Sequence, residues 1–274
     1  MEKKLVLMER NHNKDEINCH RSSTAYNRGV VDFVDETTNE IIFQARNKVI
    51  LPGAAFTARK HFVLDSDEIT PSYNTVLNLD NTVQETPPNE EAEKVFLFSL
   101  GLDGGGREPS QIYPVNYGKW TDPKDLVPFR YQPITSDLGD ELRDSYFGRK
   151  TYDAQKRVAY YFKAFDTDPV LHQQFVDGTP IDGNIYASEK EDEIETYVEL
   201  ILKITKEDCR EFFNVTTGPT TARINCLQLL TGWAKTIDGK KYYQDIRPLT
   251  KLHFPLESLI DVTKSIKIIY HLYY

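Results

Sequence analysis

Histidine and cysteine residues near the start of the sequence are of the types that bind zinc. His12, Cys19 and His20 lie close enough along the chain to meet around one ion. A structural zinc site needs four ligands in a tetrahedron, however, and no CxxC or HxxxH pair completes this set. Pairing Cys209 or Cys226 with a distant histidine as nucleophile and base has no motif to support it either. The three cysteines, without CxxC spacing, are typical of reduced thiols.

Oxygen-bearing side chains are grouped in the stretch 177–184. Asp177, Asp182 and Asn184 offer the oxygen ligands that hard cations prefer. The stretch lacks the DxDxDG order and the bidentate glutamate of a calcium loop, and its Gly, Pro, Asp and Asn content is typical of a tight turn. We therefore predict a turn here, and no metal-binding residues in the chain.

Motifs for phosphate binding and for hydrolysis are incomplete. The glycines at 104–106 follow an apolar stretch, but Pro109 comes where a phosphate-binding loop requires a helix, and no GK[ST] is present. Asp166 and Asp168 are of the types that form the acid–base pair of a glycosidase, yet Pro169 beside them indicates the end of a strand. No GxSxG or HExxH motif occurs. The sequence therefore predicts no catalytic residues, no cofactor and no enzymatic activity.

The charge balance disfavours binding to the phosphate backbone of nucleic acids. The chain has 33 basic and 42 acidic residues, a net charge of -9, and its densest charged run, at 189–195, is acidic. Its apolar stretches are shorter than the roughly 18 residues that a membrane-spanning helix needs, and Leu5–Met8 is too short for a signal peptide. We expect neither a membrane partner nor sequence-specific nucleic acid binding, and a location in the cytosol or in an assembly built there.

The elements that carry these residues are mainly β-strands. Alternation of Val, Ile, Tyr and Phe with polar residues predicts strands that bury one face. The predicted strands are Val30–Val34, Glu40–Gln44, Arg157–Phe165, Ile194–Thr205, Asn225–Lys235, Tyr242–Ile246 and Ile266–Tyr273. A polar connection makes a hairpin of the first pair, and Asp238-Gly239 favours a tight turn between Asn225–Lys235 and Tyr242–Ile246.

Three short helices complete the predicted elements. Capping residues and helical spacing predict them over Pro52–Leu64, Asp137–Phe147 and Thr205–Phe213. The fold class is therefore mainly β, an antiparallel β-sandwich or barrel-like core with a few short helices and long irregular arms. We predict a single β-rich domain over 1–274, in which Val198, Leu200, Leu202 and Ile268 are buried.

Two long stretches lack the pattern of any regular element. The stretch 66–93 is predicted to be an irregular loop. The stretch 101–150 is predicted to be an extended arm or large loop insertion outside the main sheet, because irregular runs beyond about 12–15 residues are uncommon inside compact domains. Its aromatic residues favour order against a neighbour over disorder. The candidate interface residues are Tyr113, Tyr117, Trp120, Phe129 and Tyr131.

A resemblance suggests a setting for such a protein. The stretch 47–59 (NKVILPGAAFTAR), the aromatic and proline-rich middle and the closing strand 264–274 together resemble virion structural proteins of tailed bacteriophages. The resemblance implies a β-rich component of the neck, tail or head surface that forms a ring or decorates a lattice. It also implies a location in the virion, assembled in the host cytoplasm, with other virion proteins as partners.

Three functions follow as hypotheses. The first is a non-enzymatic structural subunit of a phage particle, a homo-oligomer that acts through protein–protein contacts, for which tyrosine and tryptophan supply contact area. The alternative is a carbohydrate- or receptor-binding β-sandwich in which Trp120 and Trp233 stack on sugar rings. The third is a hydrolase whose residues meet only in space.

Overall fold

Regular structure covers most of the described chain. A computed structural model describes residues 29–49, 73–80, 94–105, 113, 115, 125–175, 177–179, 181, 194–218, 223–237, 240–255 and 265–273. The strands there are β1 (Gly29–Asp35), β2 (Ile41–Arg46), β3 (Lys48–Val49), β4 (Lys94–Gly101), β5 (Leu126–Val127), β6 (Arg130–Pro133), β7 (Tyr146–Tyr152), β8 (Arg157–Ala164), β9 (Val170–Phe175), β10 (Ile194–Ile204), β11 (Cys226–Ile237), β12 (Lys240–His253) and β13 (Ile266–Tyr273). The helices are α1 (Tyr73–Leu77), α2 (Asp140–Arg143) and α3 (Arg210–Thr216), and 3-10 turns cover Ile134–Ser136 and Asp153–Gln155.

The strands form two antiparallel sheets. The five-stranded sheet has the order β2-β1-β13-β10-β9, so its outermost strands are β2 and β9. The eight-stranded sheet has the order β3-β12-β11-β4-β8-β6, with β5 paired to β4 and β7 paired to β8. Sequence neighbours pair in the hairpins β1–β2 and β11–β12, whereas β13 returns to lie between β1 and β10.

The two sheets pack face to face around one hydrophobic core. From the five-stranded sheet, Leu200, Leu202 and Ile268 are buried, as their alternation along the strands predicts. The ring of Phe33 lies 5.1 Å from that of Phe254 in the eight-stranded sheet. The predicted β-sandwich is therefore confirmed, and across the described residues the sheets do not close into a barrel.

A second, smaller core covers the outer face of the eight-stranded sheet. The short helix α1 places Tyr73 and Leu77 against Leu97, Phe162 and Leu230 of the sheet. The hydroxyl of Tyr73 donates to the Gln228 side chain at 2.9 Å, which satisfies a buried polar group. The stretch 66–93, predicted to be an irregular loop, therefore contains a helix at 73–77. No helix in the described ranges has the length and apolar character needed to cross a membrane.

Some predicted elements differ from the observed ones. The strand predictions match closely at β8, β10 and β13, but Val198 is only partly buried. The predicted helix over Asp137–Phe147 is four residues long (α2), because β7 begins at Tyr146 and pairs with β8 along its length. The predicted helix over Thr205–Phe213 begins only at Arg210. Residues Pro52–Leu64 lie outside the described residues.

The second half of the stretch 101–150 belongs to the eight-stranded sheet rather than to an extended arm. Residues 126–127 pair with β4, and β6 and β7 pair with β8. In this half, Pro128 lies between β5 and β6, and Pro133 is the last residue of β6, the outermost strand, which are positions where a missing backbone N–H is tolerated. The correction applies from residue 125 onward, and only Tyr113 and Val115 are described between 105 and 125.

Candidate functional site

The two edges of the five-stranded sheet expose apolar side chains. On β2, Ile41 is 57% and Ile42 is 40% exposed, and on β9, Val170 is 49% and Leu171 is 59% exposed. Successive side chains of a strand point to opposite faces of its sheet. On β9 the exposed apolar groups therefore lie on both faces of the strand, whereas on β2 a register shift against β1 leaves Ile42 outside the regular alternation.

Both strands are the outermost ones of the five-stranded sheet in the part of the chain that the structure describes. Among the described residues, β2 pairs only with β1, and β9 pairs only with β10. Soluble proteins usually protect such edges with lysine, proline or bulges. The sequence of β9, VLHQQF, has no lysine, arginine, acid or proline, so this edge has the features of an association surface. The sequence of β2, IIFQAR, has a single arginine at its end, and a register shift against β1 at Ile42 makes this edge the less regular of the two.

Of the interface residues predicted from the sequence, the structure describes Tyr113, Phe129 and Tyr131. Tyr113 is exposed, and its carbonyl oxygen lies 2.8 Å from His253 Nδ1. Phe129 lies in the core, with its ring 5.1 Å from that of Phe98, so it is closed to a partner. Tyr131 is partly buried, 5.8 Å from the ring of Phe212. Tyr117 and Trp120 lie outside the described residues, whereas Trp233 is partly buried on β11.

A buried carboxylate joins the two sheets. The side chain of Asp208, in the turn after β10, is fully buried. It accepts hydrogen bonds from Lys163 Nζ at 2.7 Å, from the Tyr146 hydroxyl at 2.8 Å and from the Thr205 N–H at 2.8 Å. Arg130 Nε lies 3.5 Å from the same carboxylate. Because Lys163, Tyr146 and Arg130 belong to the eight-stranded sheet, this network ties the loop of one sheet to the other.

The composition of this network indicates a structural role, in which it holds the two sheets together. The Arg130 guanidinium lies 4.6 Å above the ring of Tyr146 and donates to its hydroxyl at 2.7 Å. Burial and the neighbouring Asp208 raise the pKa of the Tyr146 hydroxyl. Burial, and then Asp208, likewise raise the pKa of the adjacent Cys209 thiol well above its usual value, which keeps it protonated and a poor nucleophile.

A second polar cluster lies at one end of the eight-stranded sheet. The ligand atoms of Asp103, Cys226 and His253 all lie within 4.8 Å of one another. Cys226 of β11 is the register partner of His253 on β12 and, on its other side, of Gly101 at the end of β4. Asp103 follows β4 by two residues. Three neighbouring strands thus bring together a thiol, an imidazole and a carboxylate, which we call the Asp–Cys–His cluster.

Hydrogen bonds hold this cluster from both sides. His253 Nδ1 lies 2.8 Å from the carbonyl oxygen of Tyr113, and His253 Nε2 lies 3.8 Å from Asp103 Oδ1. Lys251 Nζ donates to Asp103 Oδ2. Burial raises the pKa of the Cys226 thiol, as does Asp103, and burial lowers the pKa of His253. The imidazole is therefore neutral near pH 7.

Of the chemical candidates named from the sequence, Cys226 belongs to the Asp–Cys–His cluster. His12, Cys19 and His20 are outside the described residues, as are Asp182 and Asn184. Asp177 accepts the Thr179 N–H at 2.9 Å, which is the geometry of a turn. The N–H of Gly104 donates to the Asn225 side chain at 2.8 Å, and a Cβ at Gly104 would lie 1.8 Å from the Asn225 carbonyl oxygen. Close packing of the backbone therefore requires this glycine.

Comparison with known proteins supplies no family. No protein-family model matches the chain, and comparison with curated proteins and with solved structures finds no significant match. The function therefore has to be argued from the two sheet edges and the two polar clusters.

Proposed function

We propose that this chain is a non-enzymatic structural subunit that assembles through the two edges of its five-stranded sheet. The observation that carries the proposal is the exposure of Ile41 and Ile42 on β2 and of Val170 and Leu171 on β9. Apolar side chains on an edge strand favour pairing with another chain, because an edge strand can accept a further strand through backbone hydrogen bonds.

The two edges favour head-to-tail assembly. The edge at β2 and the edge at β9 lie at opposite ends of one sheet and differ in sequence. A contact between two different surfaces is heterologous, and repeated contacts of this kind close into a ring or continue into a filament. Pairing β9 of one subunit with β2 of the next would continue the sheet from subunit to subunit.

A single edge contact would be weak. Burying a half-exposed aliphatic side chain gains about 1 kcal/mol, so Ile41, Ile42, Val170 and Leu171 supply on the order of 4 kcal/mol together. Association costs roughly 4–15 kcal/mol in lost translational and rotational freedom. Backbone pairing must supply the difference, and ring closure or a second partner adds to it, so we expect association to depend on concentration.

The tailed-phage setting belongs to the same proposal. The resemblance to virion structural proteins supports a subunit of the neck, tail or head surface, with other virion proteins as partners. Rings of identical subunits are among the structures that edge contacts of this kind build. Immunogold electron microscopy of particles from the phage that carries the gene tests this setting, and particles without label would contradict it.

The edge contact is tested with two variants of the full chain. Ile41→Lys charges the β2 edge and Leu171→Lys charges the β9 edge, and Val215→Lys is the matched control because Val215 is also exposed but lies on α3. Light scattering over a concentration series should show oligomers for the unmodified chain and for Val215→Lys. Each edge variant alone should remain monomeric.

Mixing the two edge variants distinguishes the type of contact. Each variant keeps one intact edge, and the two intact edges are complementary, so an equimolar mixture should form dimers and nothing larger. Dimers of one variant alone would instead indicate contacts between like edges. An unmodified chain that stays monomeric at every concentration, alone and with its particle proteins, would overturn the edge proposal.

A further inference from the structure

We propose that the Asp–Cys–His cluster binds one zinc-like divalent cation, with the Cys226 sulfur, His253 Nε2 and Asp103 Oδ1 as its protein ligands. The proposal is independent of the assembly function, because the cluster lies at the end of β4, β11 and β12, strands of the eight-stranded sheet.

One ring nitrogen of His253 has an unused capacity to bind a cation. The His253 side chain is only 5% exposed, and its Nε2 is buried without a hydrogen-bond partner among the described residues. Nδ1 faces the Tyr113 carbonyl oxygen at 2.8 Å, which can only accept, so Nδ1 carries the proton and Nε2 carries a lone pair. That lone pair faces a carboxylate oxygen of Asp103 3.8 Å away. Two acceptors that face each other in a buried site are stabilised by a cation between them.

Neighbouring groups orient the His253 and Asp103 side chains by hydrogen bonds. Metal-bound histidines commonly donate their other N–H to a carbonyl or carboxylate, which fixes the ring and the tautomer. Tyr113 provides that carbonyl to His253. Lys251 holds Oδ2 of Asp103 and so leaves Oδ1 directed toward the imidazole. The ligands are therefore oriented before any ion binds.

The donor set favours zinc over magnesium or calcium. Zinc binds thiolate sulfur at about 2.3 Å and imidazole nitrogen or carboxylate oxygen at about 2.0–2.2 Å, so ligand atoms around it lie roughly 3.3–3.8 Å apart. For a nitrogen–oxygen pair these bond lengths give roughly 3.3–3.6 Å, so the 3.8 Å between His253 Nε2 and Asp103 Oδ1 has to shorten by a few tenths of an ångström when the ion binds. A thiolate ligand disfavours hard cations, and three protein ligands leave the fourth tetrahedral position to water.

Binding also has a defined proton balance. The Cys226 thiol loses its proton to solvent as the sulfur–metal bond forms, so one proton is released for each ion bound. The thiolate and the Asp103 carboxylate offset the dication, and Lys251 remains paired with the carboxylate. We expect metal affinity to rise with pH for this reason.

Cobalt(II) provides the test, since it substitutes for zinc and reports thiolate ligation by a sulfur-to-metal charge-transfer band. The full-length protein, stripped with a chelator under reducing conditions, should bind one equivalent of cobalt(II) with this band, and zinc should displace it. Cys226→Ser should abolish the band. Cys209→Ser and Cys19→Ser are matched controls that should keep it.

A second variant changes a ligand that is not fully buried, so that the test does not depend on the buried Cys226 alone. Asp103 is partly exposed but pairs with the buried Lys251, so the folded state of Asp103→Asn is checked by circular dichroism. The folded variant should bind zinc more weakly, by more than the about 10–100-fold that loss of a supporting hydrogen bond causes. Folded wild-type protein that binds no stoichiometric zinc or cobalt would overturn the proposal. A band that persists in Cys226→Ser but disappears in Cys19→Ser would overturn it too.

Discussion

The buried carboxylate of Asp208 contacts several charged and polar side chains of this fold. It is the only carboxylate that the described contacts place against both Lys163 and Arg130, and it also accepts from Tyr146. Removing one partner of a buried ion pair leaves the other charge uncompensated, which costs about 3–5 kcal/mol. By contrast, a surface pair contributes about 1 kcal/mol or less.

We therefore predict that Asp208→Ala lowers the free energy of unfolding by about 3–5 kcal/mol, measured by urea denaturation. Glu211→Ala is the matched control, because Glu211 pairs with Arg157 at 3.0 Å but its side chain is 46% exposed. Its loss should cost about 1 kcal/mol or less. Equal effects of the two substitutions would contradict the role that we assign to Asp208 in holding the two sheets together.

The lowered pKa of Asp137 predicts that the stability of the fold depends on pH. Burial alone would raise its pKa, but hydrogen bonds from the Tyr160 hydroxyl, the Leu138 N–H and Arg149 outweigh burial and lower it. A carboxyl whose pKa is lower in the folded state stabilises the fold above its unfolded pKa of about 3.9. That stabilisation is lost as the pH falls through the folded value.

Asp137→Asn should accordingly reduce stability by about 1.5–3 kcal/mol at pH 7, the range for hydrogen bonds to charged groups. The difference from wild type should shrink as the pH falls below about 4. Urea unfolding midpoints across this pH range measure it, and a difference that is constant with pH would contradict the assignment.

At the scale of elements, β10 is the strand with the clearest alternation. Leu200 is buried and Ile201, its neighbour on the opposite face, is only partly buried. β10 pairs with β13 on one side and β9 on the other, so its position is set by both ladders. The side chain at Leu200 contributes to the core between the sheets.

Leu200→Ala should lower the free energy of unfolding by about 2–5 kcal/mol, because a buried leucine leaves a cavity. Ile201→Ala is the control on the same strand and should cost clearly less, since it opens no cavity in the core. Thermal and urea denaturation compare the two variants. An unchanged melting curve for Leu200→Ala would contradict the packing of this strand.

At the scale of the whole molecule, the proposed assembly and the proposed metal site use different sheets. The edges at β2 and β9 belong to the five-stranded sheet, and the Asp–Cys–His cluster belongs to the eight-stranded sheet. The Asp208 network and the core link the two sheets. The edge variants should therefore leave cobalt binding unchanged, and Asp103→Asn should leave association unchanged, so that failure of one proposal does not affect the other.

Local pattern was sufficient to predict most of the strands. In a strand that buries one face, alternate residues must be apolar, and this requirement acts within a few positions of the chain. It identified β8, β10, β13 and both hairpins from the sequence. It did not identify the strands of 125–152, because prolines and glycines interrupt the alternation there and the pairing with β4 and β8 is long-range.

The sequence by itself determined the class of the fold, because alternation is local, and only the tertiary structure decided which side chains meet. Counted without interruption from the pair Ile237 and Lys240, the hairpin register would put Lys251 opposite Cys226. Two register shifts, one beside Pro248, which lacks an N–H for the ladder, put His253 there instead. The Asp–Cys–His cluster depends on those shifts and on β4, more than a hundred residues away along the chain, to deliver Asp103.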